Sequence, residues 1–166
     1  MGSELTPDQL AKRKEQLAHP IVPKLIKTMA RVQVRVFKAT GGRVGSKWRI
    51  GAGFRRPVAT LLLEHVGRTS GETYTTPLLY LVDGPDLVVV ASQGGLPKNP
   101  QWLYNVKAHP ETRVWLKREV RTVRARVADP DERAGLWPRL VELYADFATY
   151  QATTDREIPV VVLSPR

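Results

Sequence analysis

The sequence contains no cysteine. That excludes a disulfide framework, a thiolate metal site and a cysteine nucleophile, and it suits a reducing cytosol. Histidine is scarce as well. His19, His65 and His109 stand far apart, with neither HxH nor HExxH spacing, so no metal centre is expected. The most apolar stretches, Val58–Leu63 and Ile158–Leu163, are far too short to span a bilayer, and no signal-peptide core is visible. No Ser-His-Asp arrangement and no paired carboxylates can be read, so hydrolytic chemistry has no support. Internal repeats and low-complexity tracts are missing too.

What remains is an ordinary globular composition. With 166 residues, 42% hydrophobic and 25% charged, the chain is long enough to bury one core. The net charge of +10 is unevenly placed. Residues 1–60 carry 13 of the 26 Lys/Arg but only 3 of the 16 Asp/Glu, so the whole excess lies in the first third. Such a segment fits a phosphorylated cofactor, an acidic membrane face or nucleic acid. Nucleic acid is not expected, because aromatic residues do not interleave with the basic ones and no helix-turn-helix or RNA-binding signature is present. The organisation expected is a basic N-terminal part, 1–56, joined to a folded body, 57–166, within one compact domain.

Thr6-Pro7-Asp8-Gln9 predicts a helix start with a capping box, and that helix should end near Ala18, before His19-Pro20. A second helix is expected after Pro23. Val22, Leu25, Ile26, Met29, Val32, Gln33, Val36 and Phe37 share one face; Lys24, Lys27, Arg31, Arg35 and Lys38 share the other. Either the apolar face packs on the core and the basic face is solvated, or the helix lies on anionic lipid. Gly41-Gly42 ends it, and residues 43–56 read as a glycine- and arginine-rich connection. Strands follow at Val58–Val66, Thr73–Val82 and Leu87–Ser92, joined by Gly67-Arg68-Thr69-Ser70-Gly71-Glu72 and Asp83-Gly84-Pro85-Asp86. Pro77 places an edge or bulge in the second of them. Asn99 is expected to cap a helix over Gln101–Ala108. Two strands, Thr112–Leu116 and Val120–Val127, come next. One helix runs from Asp129-Pro130 to Tyr144 or Phe147, and a last strand covers Ile158–Leu163. This order predicts an α+β fold, a small split β-barrel of about six mostly antiparallel strands with flanking helices.

Four places could carry chemistry. Gly67-Arg68-Thr69-Ser70-Gly71 offers a guanidinium and two hydroxyls between glycines, donors that suit a phosphate, although a plain hairpin turn needs the same residues. Ala91-Ser92-Gln93-Gly94-Gly95 leaves a strand with paired glycines that would let a flat ligand approach the main chain, or is simply a strand exit. Trp102 and Asn105 share a helix face, where an indole beside an amide can orient a heterocycle, unless Trp102 belongs to the core. Tyr144, Phe147 and Tyr150, spaced by three, read as a core stripe or as phenols facing a cavity.

Taken in order, these segments resemble the deazaflavin-dependent nitroreductase family, split-barrel proteins related to flavin-binding barrels that use coenzyme F420. The likeness covers roughly residues 57–166. It rests on Gly67–Gly71 with Pro77-Leu78-Leu79-Tyr80-Leu81 and Asp83-Gly84; on Val90–Gly95 with Asn99–Asn105 and Ala108-His109-Pro110; and on Trp137-Pro138, Tyr144, Tyr150-Gln151 and Ile158-Pro159-Val160-Val161. The resemblance implies hydride transfer from reduced F420, with FMN the less favoured cofactor, to a quinone, an activated enone or a nitro compound. It implies that Arg68, Thr69 and Ser70 hold the phosphate and acidic tail. Tyr74, Thr75, Thr76 and Pro77 would line the ring, with Ala91, Ser92, Gln93 and Gly94 on the next strand. Trp102, Asn105 and Phe147 join the cofactor set, and Ser92, Tyr144 and Tyr150 are the catalytic candidates. Thr69 and Gln93 stand where near family members have lysine, and Lys98, Arg55 or Arg56 are the replacement cations to consider. A non-catalytic deazaflavin or flavin carrier is the alternative. Placement is expected in the cytoplasm, with residues 7–38 touching the anionic inner face of the membrane.

Overall fold

The computed structural model describes residues 6–19, 21–48 and 57–166. Helix α1 covers Pro7–Ala18, and both halves of the expected capping box form. Gln9 N donates to Thr6 Oγ1, and Gln9 Oε1 accepts from Thr6 N at 3.0 Å. Helix α2 covers Ile21–Ala39, two residues earlier than Pro23 suggested, because proline is tolerated within a first turn where amides lack helical partners. The connection after it holds a short strand, β1 (Lys47–Trp48), which the sequence did not announce. Arg55 and Arg56 lie outside the described residues.

Six longer strands close on themselves: β2 (Val58–Val66), β3 (Thr73–Asp83), β4 (Asp86–Val90), β5 (Glu111–Leu116), β6 (Glu119–Val127) and β7 (Val160–Pro165). Their order is β2-β3-β4-β7-β6-β5, every neighbour pair is antiparallel, and β5 returns to β2 through Leu63↔Val114. β1 extends β2 at its start. Closure removes most of the exposed edge that an open sheet would carry, leaving the first part of β3 paired on one side. The period of two then sorts the side chains. Leu61, Leu63, Leu87, Val89, Val114, Val123, Ala125, Val161 and Leu163 fill the interior. The alternate residues Val88, Val90, Val160 and Val162 form a second apolar layer outside. Helices α4 (Pro130–Leu143) and α5 (Asp146–Thr153) cover that layer with Leu136, Leu140 and Phe147. This is why the β4 and β7 segments read as unbroken apolar runs: both of their faces are dry. Helix α3 (Gln101–Ala108) adds Trp102, Leu103 and Val106 to the interior and so plugs the barrel.

Pro77 pairs with Leu62 of β2, whereas β4 meets β3 only over Tyr80–Asp83. The missing proline N–H thus falls where β3 has a single strand partner, the edge that Pro77 announced. Four other expectations are corrected. The third strand stops at Val90, and Ser92 already has helical φ/ψ at the head of a single 3-10 turn, Gln93–Gly95. Pro100, not Asn99, occupies the N-cap position of α3. The single helix expected from Asp129 is two, because Tyr144 turns extended (φ −148, ψ 98) and α5 starts afresh at Asp146. The apolar face of α2 is not a core face along its length. Phe37 is fully buried and α2 packs on β3, but Leu25, Met29, Val32 and Val36 remain exposed. The side chains of Val22 and Ile26 lie outside the description.

Candidate functional site

The turn after β2 is built around Gly67. A Cβ there would collide with Ser70 Oγ and approach Tyr74 Cε2 to 2.8 Å, so only glycine lets the turn fold this tightly. Ser70 Oγ accepts from Glu72 N and lies 3.2 Å from the Tyr74 hydroxyl, which donates to Glu72. Arg68 is exposed and lies back along α3. Its main-chain N–H donates to Asn105 Oδ1 at 3.1 Å, its Nη1 donates to Gln101 Oε1 at 2.9 Å, and its guanidinium sits 5.1 Å above the Tyr104 ring. Among the described residues its strong bonds pass through Nη1, which leaves the Nε and Nη2 donors for an incoming anion.

Behind this turn runs a buried polar chain that the sequence reading did not anticipate. Asn105 Nδ2 lies 3.0 Å from His65 Nδ1, and His65 Nε2 lies 3.1 Å from Thr76 Oγ1. Tyr74 stacks on the imidazole at 6.0 Å. The signal was available: strand period places His65 on the same face as Leu61 and Leu63, and a histidine on an interior face must be bonded. Burial drives the His65 pKa down from 6.5 to about 4. Below pH 6.5 the unfolded chain takes a proton at this residue that the folded chain refuses until about 4. Stability should therefore fall as pH drops through that window, by about 3 kcal/mol in total, and be insensitive to this group above it. Urea unfolding midpoints measured at pH 7 and pH 4 in wild type and His65→Asn check this. The variant should lose less stability, since an asparagine takes up no proton in that window.

The second cluster follows β4. Gln93 adopts φ +46, a left-handed backbone unusual for a side chain of its size, and its Oε1 is buried with no hydrogen-bond partner among the described residues. Gly94 faces open space, whereas a Cβ on Gly95 (φ +84) would come within 3.0 Å of Tyr150 O. Of the paired glycines, one thus leaves room beside the main chain and the other admits α5. Ser92 is buried at the head of the turn, and its hydroxyl does not cap it. A second unanticipated residue holds this bend. Arg156 donates to Leu96 O at 3.0 Å, Asn99 Oδ1 at 2.7 Å, Ser92 O at 2.9 Å and Ala91 O at 3.3 Å. Burial lowers its pKa from the usual arginine value. No local pattern marks Arg156, because its four acceptors lie some sixty residues away.

The third cluster is aromatic. Tyr144 and Phe147 are 6% and 4% exposed and meet edge to face at 5.1 Å; Tyr150 touches both rings. The Tyr144 hydroxyl donates to Asp146 at 3.1 Å and lies 3.4 Å from that of Tyr150. Tyr150 is half-buried beneath Arg13 of α1, and burial raises its pKa. α1 is held to the same region by Lys14–Asp155 at 3.1 Å.

The structure thus links Arg68, Asn105 and Thr76 by hydrogen bonds through His65, and Ser70 to Tyr74 by another, with the Tyr74–His65 stack joining the two sets; close packing brings Gly95 to Tyr150. Thr69 is exposed on the first turn, and Thr75 and Pro77 of β3 pair with Glu64 and Leu62 of β2. Ala91 and Trp102 are buried in the barrel cluster. α3 ties the first two clusters, since Gln101 and Asn105 meet Arg68 while Asn99, just before it, meets Arg156. Lys98 is exposed on that same loop. A phosphate-bearing flat molecule fits these residues on two counts: donors left over at Arg68, and a buried acceptor at Gln93 beside an open glycine.

Comparison with known proteins adds the following. A family model described as F420H(2)-dependent quinone reductase matches residues 29–165. A Mycobacterium tuberculosis protein whose name places it among these reductases is 52% identical over 118 residues, 71% of this chain and 99% of its own. A second M. tuberculosis protein, named F420H(2)-dependent quinone reductase, is 34% identical over 83% of this chain and 91% of its own. A solved F420-H2-dependent reductase, FDR-A, superposes with a TM-score of 0.59 at 37% identity, covering 63% of this chain and 93% of that one.

Proposed function

The chain belongs to the F420H(2)-dependent quinone reductase family, and on that footing we propose that reduced F420 binds across the barrel mouth between the Arg68 turn and the Ser92–Gly95 loop. When bound, reduced F420 supplies a hydride; a quinone that receives the hydride and one proton leaves as the hydroquinone. Arg68, with Thr69 and Ser70, meets the phosphate and acidic tail, and Lys98 stands near enough in sequence to the second loop to serve the tail from that side. Tyr74 to Pro77 and Ala91 to Gly94 flank the ring, with Gln93 Oε1 accepting from a ring N–H. Trp102 and Asn105 support this wall from α3. Ser92 and the phenol of Tyr150 are the proton sources considered. Tyr150 is protonated at neutral pH as any phenol is, burial raises its pKa further, and Tyr144 and Phe147 orient it. The observation that carries this reading is Gln93, whose backbone is strained and whose buried oxygen meets no partner among the described residues.

Titration with purified F420, followed by tryptophan fluorescence, tests it. Quenching that saturates at micromolar F420 and is not reproduced by FMN is expected. Binding of FMN alone would move the chain to the flavin branch. Quinones are the expected acceptors; activated enones follow by the same electron demand, and nitro compounds rank last.

We also propose that α2 rests on anionic membrane. At about 100° per residue, Ile21, Leu25, Met29, Val32 and Val36 fall within about 80° of one another, and each is at least 37% exposed. Lys24, Lys27, Arg31 and Arg35 form the adjoining ridge, an amphipathic pairing suited to acidic headgroups, whereas Lys38 turns to Glu64 at 3.6 Å and to the Trp115 ring. No described helix is long and apolar enough to cross a membrane. Flotation with vesicles containing anionic lipid should recover the wild-type chain, and Leu25→Ser with Val32→Ser should lower recovery about tenfold. Equal recovery of both chains contradicts the proposal.

A further inference from the structure

We infer that His65 is a positioning residue that acts through Asn105 to fix the direction in which the Arg68 turn presents its donors. The inference rests on the reading above that Arg68 receives the phosphate of F420, and it assigns a task to a residue outside that reading.

The main-chain N–H of Arg68 can only donate, so the atom of Asn105 facing it at 3.1 Å is Oδ1. The same oxygen lies 3.5 Å from Arg68 Nη1. The amide nitrogen of Asn105 therefore points the other way, to His65 Nδ1 at 3.0 Å, and that nitrogen must accept. The imidazole proton is then on Nε2, which donates to Thr76 Oγ1 at 3.1 Å. Each link dictates the next. Turning the Asn105 amide over would oppose its NH2 to the Arg68 N–H and its carbonyl to the Nδ1 lone pair, losing both bonds.

Among the described residues the Asn105 amide nitrogen has its partner in His65 and the amide oxygen has its partner in Arg68. Asn105 and His65 are 5% and 4% exposed, so bulk water cannot replace a lost partner. Tyr74 stacks on the imidazole from β3 and keeps its plane aligned. Arg68 is meanwhile bound to α3 by its main chain, by Nη1 and over the Tyr104 ring, so α3 sets where the guanidinium stands and His65 sets the α3 side chain, Asn105, that reaches the turn's backbone.

Two substitutions separate this role from mere filling of space. An asparagine side chain places its Oδ1 near the position of His Nδ1, whereas a glutamine reaches the position of Nε2. His65→Asn keeps an acceptor for Asn105 and gives up Thr76; His65→Gln does the reverse. Binding of purified F420 and hydrogen exchange of the Arg68 backbone amide, the latter in cofactor-free protein, are measured for both. His65→Gln should weaken F420 about tenfold, as one unpaired buried donor implies, and speed Arg68 exchange by a similar factor. His65→Asn should stay within about threefold of wild type on both. The 15N shifts of the wild-type imidazole, which need no variant to fold, should show the Nε2–H tautomer. The inference is overturned by an Nδ1–H tautomer, or by the two variants behaving alike. If Arg68→Ala leaves F420 binding unchanged, the phosphate reading fails by itself, and the exchange data still decide what His65 does to the turn.

Discussion

Replacing Arg68 with alanine is expected to weaken F420 binding about 30-fold, or about 2 kcal/mol, with little change in folding stability. A charge-assisted bond from a guanidinium to phosphate contributes about 1.5–3 kcal/mol, and the Nε and Nη2 groups of Arg68, which Gln101 does not use, are the ones at stake. The fold should scarcely notice. Arg68 is exposed, alanine keeps the main-chain N–H that Asn105 receives, and the cation–π contact with Tyr104 contributes only about 0.5–1 kcal/mol at such a site. Arg68→Lys should fall between, since an ammonium keeps the charge but not the fork, and cannot both reach Gln101 and pair two oxygens. The loss should also depend on salt, smaller at high ionic strength where an exposed pair is screened. Fluorescence titrations at two salt concentrations, with a thermal melt of each variant, check all of this.

Arg156→Met should produce the opposite pattern, a large loss of stability. Its guanidinium is the partner of three main-chain carbonyls and of Asn99 Oδ1, and a thioether replaces none of them. Leaving buried acceptors unmet costs about 1–3 kcal/mol each before relaxation. A net loss of about 3 kcal/mol is expected, lowering the melting temperature by roughly 6–12 °C for a chain of this size. The bend at Gln93 should relax once Ala91 O and Ser92 O are released, so F420 affinity should fall as well. Arg156→Lys should recover part of the stability, because three donors on one nitrogen cannot span four acceptors. Calorimetry with the F420 titration separates the two effects.

These two arginines show where local sequence stops informing. Strands and turns were legible because each is written in adjacent residues: alternation along β6, Gly67 and Gly71 around the Arg68 turn, the capping box at Thr6. The closed barrel followed from their order. Asn99 was misassigned because its local pattern suits a cap, whereas its partner is Arg156. His65 and Asn105 are 40 residues apart, so neither predicts the other without the fold that brings β2 to α3. The even spacing of Tyr144, Phe147 and Tyr150 suggested one helix face, yet the rings meet because the helix breaks at Tyr144 and α5 resumes beside it. The amphipathic pattern of α2 was legible as well, but a pattern states that a face is apolar and not what covers it. Helix α2 packs on β3 with Phe37 buried, and its outer ridge is left bare.

Single-turnover oxidation of reduced F420 by a menaquinone analogue, followed by stopped flow with and without the protein, tests the central claim most directly. Oxidation that is faster than in buffer, saturates with protein and slows in Arg68→Ala is the expected result. A rate equal to that in buffer, in protein that binds F420, would contradict the claim and leave a carrier in its place.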